Sequence, residues 1–104
     1  MDPSEFNTLL EENESETLDF KRDQYNLDDE LSKSKFIEDI LAMANVPLRG
    51  NKHIVLGVKV YPDGSKNLAG IKESLDDEQF QSIIRDKVYD VPDFLYESVE
   101  SNRQ

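Results

Sequence analysis

The sequence predicts one small α+β domain with its elements in the order α-β-α-β-β-α-β, the helices packed on a small mixed sheet. Three observations carry that expectation. Apolar residues recur at helical spacing in three segments, and in others they alternate or run together at strand spacing. No repeat, low-complexity tract or linker interrupts the 104 residues, so residues 1–104 read as a single unit of ordinary domain length.

The first helix is signalled by Asp2 as N-cap, Pro3 at the first helical position and Glu5 at the third. Phe6, Leu9 and Leu10 follow on one face, and Asn13 is the stop. Residues 17–22 form a short strand whose alternation puts Leu18 and Phe20 on one side and Thr17, Asp19 and Lys21 on the other. Residues 23–30 are a polar, acidic loop. A second helix over about residues 31–44 carries the stripe Phe36, Ile37, Ile40, Leu41 and Ala44, with Lys33, Lys35, Glu38 and Asp39 away from it. Pro47 pushes Val46 out of helical dihedrals, which makes residues 45–51 a loop.

Residues 53–60 are the strongest strand. Ile54, Leu56, Val58 and Val60 are expected on its core face, and His53, Val55, Gly57 and Lys59 on the other. Tyr61-Pro62-Asp63-Gly64-Ser65 is turn chemistry, so residues 67–71 return as a hairpin partner. Ser74 and Asp77 have the spacing of a capping box. The helix it opens places Phe80, Ile83, Ile84 and Val88 on one face, and Pro92 closes it. Phe94-Leu95-Tyr96 begins a last strand with nothing after it to pair with, and an unpartnered edge is a liability. The chain is therefore expected to be the N-terminal part of a longer protein lacking its C-terminal domain, or to complete its sheet as a homo-oligomer.

Composition excludes several chemistries. With no cysteine there is no disulfide scaffold, thiolate metal site or Cys nucleophile. The single histidine, His53, excludes paired-His metal motifs, and no GxSxG accompanies it, so it reads as a strand-edge residue. No apolar run is long enough to span a membrane and the N-terminus is acidic, so the expected location is the cytoplasm, without membrane contact. The net charge of −11 opposes generic nucleic-acid binding, yet it is uneven. Residues 1–30 carry a net −9, residues 31–72 a net +4 and residues 73–104 a net −6.

Two segments could carry chemistry. Glu14 lies just before the first strand, and Asp19 and Lys21 share its polar face. Two carboxylates and a lysine on one side could hold a divalent metal and orient a phosphate, although acids and lysines also suit any exposed strand face. The loop from Asn45 to Lys52 presents Arg49, Gly50 and Lys52: a guanidinium, a close backbone approach and an ammonium suited to phosphate. It is not a P-loop, and an ordinary polar loop would look the same. Tyr61 beside Lys59 and Lys66 is the best basic–aromatic neighbourhood.

In order, these pieces resemble the Schlafen/AlbA-like nucleic-acid-binding domain. The family's opening Glu, followed five residues later by an acid and Phe-Lys, reads here as Glu14 and Asp19-Phe20-Lys21, with Asp in place of the usual Glu. The helix ending in Ala-x-Ala-Asn is Ala42-Met43-Ala44-Asn45. Gly50 stands in the loop, Ile54-Val55-Leu56-Gly57-Val58 is the apolar strand ending in Gly-Val, and Gly70-Ile71 follows the turn. The resemblance covers roughly residues 5–97 and implies a small α+β domain that binds DNA or RNA. Some members are ribonucleases using the two acids of the first motif and an Asp just after Gly-Val. Glu14 and Asp19 match the first two, whereas Lys59-Val60 stands at the third. The family's usual Gly-Gly is replaced by Arg49-Gly50-Asn51.

The leading expectation is a binding module rather than an enzyme. It needs no cofactor and contacts nucleic-acid phosphates weakly and locally through Lys21, Asn45, Arg49, Gly50, Lys52 and Lys59. One alternative is a Mg²⁺- or Mn²⁺-dependent nuclease, with Glu14 and Asp19 as metal ligands and Glu14, Asp19 and Lys21 as catalytic residues. Another is an interaction or oligomerisation domain of a larger regulator.

Overall fold

A computed structural model describes residues 1–71, 75–88 and 92–99. Asp2 caps the first helix, α1 (Pro3–Leu10), by accepting the Glu5 amide at 2.8 Å, and Pro3 supplies the fixed dihedral of the first turn. Strand β1 (Leu18–Lys21) buries Leu18 and Phe20 and leaves Asp19 and Lys21 half-buried, the alternation the sequence predicts. Helix α2 (Glu30–Asn45) begins at Asp29, whose carboxylate accepts the Ser32 amide at 3.1 Å. Strand β2 (His53–Leu56) then pairs with β1 in parallel, so α2 is the crossover of a β-α-β unit.

The single strand expected over residues 53–60 is divided at Gly57, which adopts φ +87. Strand β3 (Val58–Val60) leaves the β1–β2 pair and forms an antiparallel hairpin with β4 (Lys66–Leu68). The mixed sheet is thus two two-stranded sheets, one parallel and one antiparallel, with β1 and β3 lying side by side. In the turn between β3 and β4, Asp63 accepts from the Ser65 amide at 2.9 Å and from its hydroxyl at 2.6 Å.

The break at Gly57 also changes which residues face the core. Val55, expected on the polar side, is buried with Leu18, Phe20 and Val58, whereas Leu56 packs in a second cluster. The left-handed residue shifts the alternation by one position, so Val55 and Val58 meet on one side although they are three residues apart.

Two cores result. Leu10, Leu18, Phe20, Val55 and Val58 form the first, with Phe6 and Leu9 of α1 packed against it. Tyr25, Phe36, Phe80 and Ile84 form the second, between α2 and helix α3 (Asp77–Lys87). Ring centroids 5.2 Å apart (Tyr25–Phe36) and 4.9 Å apart (Phe36–Phe80) meet edge to face, the arrangement the ring quadrupoles favour.

The start of α3 differs from its expectation. Asp76 is the N-cap, and its amide is satisfied by Gln79 Oε1 at 2.9 Å, so the reach-back residue is Gln79 and not Asp77. The expected cap, Ser74, lies outside the described residues, as do Lys72 and residues 89–91 and 100–104. Residues 92–99 lie outside any strand, so the expected strand at Phe94-Leu95-Tyr96 is not formed. The Tyr96 ring stacks on Phe80 with centroids 4.3 Å apart, and Phe94 meets Phe36 at 6.0 Å. The segment spends its aromatic side chains on the second core rather than on strand pairing. Among the described residues, no helix is long and apolar enough to cross a membrane.

Candidate functional site

A cleft of about 320 Å³ opens between the polar face of β1 and the C-terminal half of α2. Glu14, Asp19, Asp39, Met43, Val46 and Ile54 are among its lining residues. Asp39, Met43 and Val46 recur at intervals of four and three, so one helical stripe forms the wall opposite Asp19. The parallel register places Asp19 beside Ile54, which supplies an apolar floor next to the carboxylate.

Glu14 reaches the cleft because the chain turns tightly before β1. The Ser15 amide donates to the Leu18 carbonyl at 2.9 Å, folding residues 14–15 back along the strand. Glu14 Oε2 then accepts the Phe20 amide at 3.1 Å. This carboxylate satisfies a backbone donor of β1, a structural duty that residue type alone does not reveal.

Asp39 is the residue whose part in the site sequence reasoning missed. It lies off the apolar stripe of α2 as expected, but its side chain is only 12% exposed and is the centre of a charged network. Lys21 Nζ lies 3.0 Å from Asp19 Oδ2 and 3.4 Å from Asp39 Oδ2. Lys35 Nζ, one turn earlier on α2, lies 3.1 Å from Asp39 Oδ1. The Tyr25 hydroxyl donates to Asp39 Oδ2 at 2.6 Å. The available signal was the Lys35–Asp39 spacing on α2, joined to the need of a buried tyrosine hydroxyl for an acceptor.

These interactions act on proton affinity. Burial raises the Tyr25 pKa well above the ordinary value of 10.0, and the Asp39 carboxylate adds to the effect. For Lys21, burial alone would lower the pKa, but Asp19 and Asp39 more than offset it and leave it above 10.5. Both groups hold their protons more tightly folded than unfolded. Their stabilisation is therefore complete below about pH 10 and is lost as pH rises further. The urea midpoint is expected to fall between about pH 10 and pH 11, and Tyr25→Phe to fall less steeply. An equal decline in both proteins would contradict the Tyr25 assignment.

The expected phosphate-contacting residues fall into two groups. Leu18 pairs with His53 and Lys21 with Leu56, so Lys21 stands at the far end of the parallel pair from the α2–β2 loop. Asn45, Arg49, Gly50 and Lys52 belong to the near end, while Lys59 on β3 lies beyond Leu56. Three residue steps of strand separate the ends, roughly 10 Å. Arg49 and Gly50 are exposed, and Gly50 has φ +95 with open space where a Cβ would stand. Lys52 Nζ donates to the Val46 carbonyl at 2.6 Å, which ties the loop to the end of α2 on the rim of the cleft. Lys59 is exposed, its ammonium 5.0 Å from the Tyr61 ring centroid. Lys66, expected beside Tyr61, lies instead 5.1 Å over Phe20.

Ion pairing separates the cations further. Lys21, Lys33, Lys35 and Arg85 each pair with a carboxylate. Among the described residues, Arg49, Lys52, Lys59 and Lys66, and outside that segment Arg22 and Lys87, have no carboxylate at ion-pair distance, although the chain has 23 Asp and Glu.

Among the described residues, the carboxylates of the cleft are engaged by other groups. Glu14 is engaged with the Phe20 amide, Asp19 with Lys21, and Lys59 stands where the resemblance requires a third acid. Among the described residues, no group of three or more His, Cys, Asp or Glu side chains is placed to hold a metal ion. Asp39 adds an acid to the cleft, but Lys21 takes the position between it and Asp19.

The motifs that carry the family resemblance fall on the turn before β1 and β1 itself, the end of α2, the loop at Gly50, β2 with Gly57 and Val58, and Gly70-Ile71 after β4. No curated protein and no solved structure matches the chain. The family described as Schlafen, AlbA_2 matches residues 14–104. The match starts at Glu14, the first motif residue, and leaves out α1. The chain belongs to the Schlafen/AlbA_2 family.

Proposed function

We propose that this chain is a nucleic-acid-binding module that grips phosphates through the α2–β2 loop and β3, using Asn45, Arg49, Gly50, Lys52 and Lys59. Lys21 is the inner member of the set. The observation that carries the reading is the distribution of ion pairs. Among the described residues of a chain of net charge −11, all four cations of the loop and of the β3–β4 hairpin, Arg49, Lys52, Lys59 and Lys66, lack a carboxylate at ion-pair distance, as do Arg22 and Lys87 elsewhere. An unpaired guanidinium or ammonium exchanges its counter-ions for phosphate at no cost in broken ion pairs.

The two-ended placement supports a backbone track rather than a single-nucleotide pocket. A span of roughly 10 Å covers about three nucleotides at the 3.4 Å rise per strand of a duplex. With few base-directed groups on this surface, binding is expected to be salt-sensitive and weakly sequence-specific. The two acidic flanks confine binding to this one surface and repel the polyanion elsewhere.

The test is a panel of single- and double-stranded DNA and RNA at low salt, with Mg²⁺ and with chelator, for the wild type and Asp19→Ala. Binding that is indifferent to chelator, without cleavage, is the expected result. Metal-dependent cleavage that Asp19→Ala abolishes would replace this reading by a nuclease using Glu14 and Asp19. An absence of binding to every member would overturn it.

A further inference from the structure

We infer that Asp39 is an internal competitor for phosphate, a carboxylate that sequesters Lys21 and Lys35 and so sets how many cations the chain offers to a nucleic acid. The inference rests on the nucleic-acid reading above and concerns the strength and salt dependence of that binding. Its basis is the asymmetry of the network. The Asp39 side chain is 12% exposed, whereas Lys35 is 59% and Lys21 25% exposed. The acid is fixed inside and the ammoniums reach outward from it. Tyr25, a buried ring packed on Phe36, fixes Oδ2 with its hydroxyl at 2.6 Å, so Asp39 is not a surface acid free to swing away.

A phosphate approaching Lys35 or Lys21 must therefore displace a carboxylate already in place. The two lysines are held unequally. Among the described residues Lys35 has only Asp39, at 3.1 Å, while Lys21 is shared between Asp39 and Asp19, at 3.4 and 3.0 Å. Lys35 is the readier of the two to exchange its partner. Removing the charge of Asp39 should release Lys35 fully and Lys21 in part, adding cations to the surface without adding a residue.

The experiment measures binding of the tightest nucleic acid of the panel by fluorescence anisotropy across a salt series. Each freed cation that meets a phosphate steepens the slope of log K against log salt by about 0.7–0.9. Asp39→Asn, which keeps an acceptor for Tyr25, should bind more tightly, with a slope steeper by about 1–2. In the wild-type background Lys35→Gln should change the slope by less than about 0.3, because Asp39 already occupies that ammonium. In the Asp39→Asn background the same substitution should make the slope shallower by about 0.7–0.9. Lys35 is largely exposed, so its variant tests the idea even if Asp39→Asn does not fold.

An unchanged or shallower slope for Asp39→Asn overturns the inference. So does a slope shallower by about 0.7–0.9 for Lys35→Gln in the wild-type background. In both cases a wild type that binds with salt sensitivity leaves the nucleic-acid reading standing. A wild type that binds nothing removes both.

Discussion

Phe80→Ala is expected to cost about 3–5 kcal/mol, a loss at the upper end for a single site. Phe80 is 1% exposed and is the hub of the second core. Its ring lies edge-on to Phe36 with centroids 4.9 Å apart, meets Tyr25 at 6.4 Å and stacks on Tyr96 at 4.3 Å. Truncation removes the transfer free energy of the ring and leaves a cavity between α2, α3 and residues 94–96 that rigid neighbours cannot fill. A domain of this size has only about 5–15 kcal/mol of stability, so the loss takes a large share of the total. Urea unfolding should show a much lower midpoint with an unchanged m value. A loss under about 1 kcal/mol would mean that α3 is not packed as described.

Gly57→Ala ranks second. Gly57 has φ +87, a region that costs a residue with a Cβ about 1–3 kcal/mol. The added Cβ would also meet the Gly70 backbone, with its carbonyl carbon at 2.9 Å and its Cα at 3.1 Å. Backbone cannot rotate aside as a side-chain tip does, so overpacking adds about 1–3 kcal/mol more. The Gly70 amide donates to the Gly57 carbonyl at 2.8 Å, and the clash would strain that bond too. Gly64→Ala is the control: its φ is +88 but nothing lies within 4 Å of its Cβ position, so only the dihedral cost applies. Equal losses in the two variants, measured by urea unfolding, would contradict the close approach at Gly57.

The same glycine marks a limit of reading structure from sequence. Local signals were legible: Asp2 and Pro3 at α1, the Leu18–Phe20 alternation in β1 and the Asp63–Ser65 turn all depend on neighbours within a few residues. The face assignment of residues 53–60 failed because alternation assumes one uninterrupted strand, and the break at Gly57 shifts it by one. Glycine in a strand did signal a bend or close approach, but not its effect on Val55. At α3, Ser74 and Asp76 both have N-cap chemistry, and the two spacings cannot be told apart without tertiary contacts. Phe94 and Tyr96 have strand periodicity, yet the Tyr96 hydroxyl receives Gln24 Nε2 at 2.6 Å and its amide donates to Asp77 at 2.6 Å.

The candidate site was legible in its first motif and opaque in its electrostatics. Glu14 and Asp19, matched to the first motif, line one cleft. That Glu14 is engaged by the Phe20 amide, and Asp39 by Lys21 and Tyr25, depends on pairings across 6, 18 and 14 residues. No helical or strand period reports them. They also set the electrostatics of the site, because they engage its carboxylates and divide the cations into paired and unpaired sets.

Phosphate binding through the unpaired cations is the claim on which the functional account stands. The direct test is the slope of log K against log salt for the wild type and for Arg49→Gln combined with Lys59→Gln. Both side chains belong to exposed residues, and neither makes an ion pair among the described residues. With about three to four phosphates neutralised, the wild type should lose about 100-fold in affinity between about 50 and 200 mM salt. The double variant should bind more weakly, with a slope shallower by about 1.8. A wild type that binds nothing at low salt, or a double variant with the wild-type slope, would contradict the account.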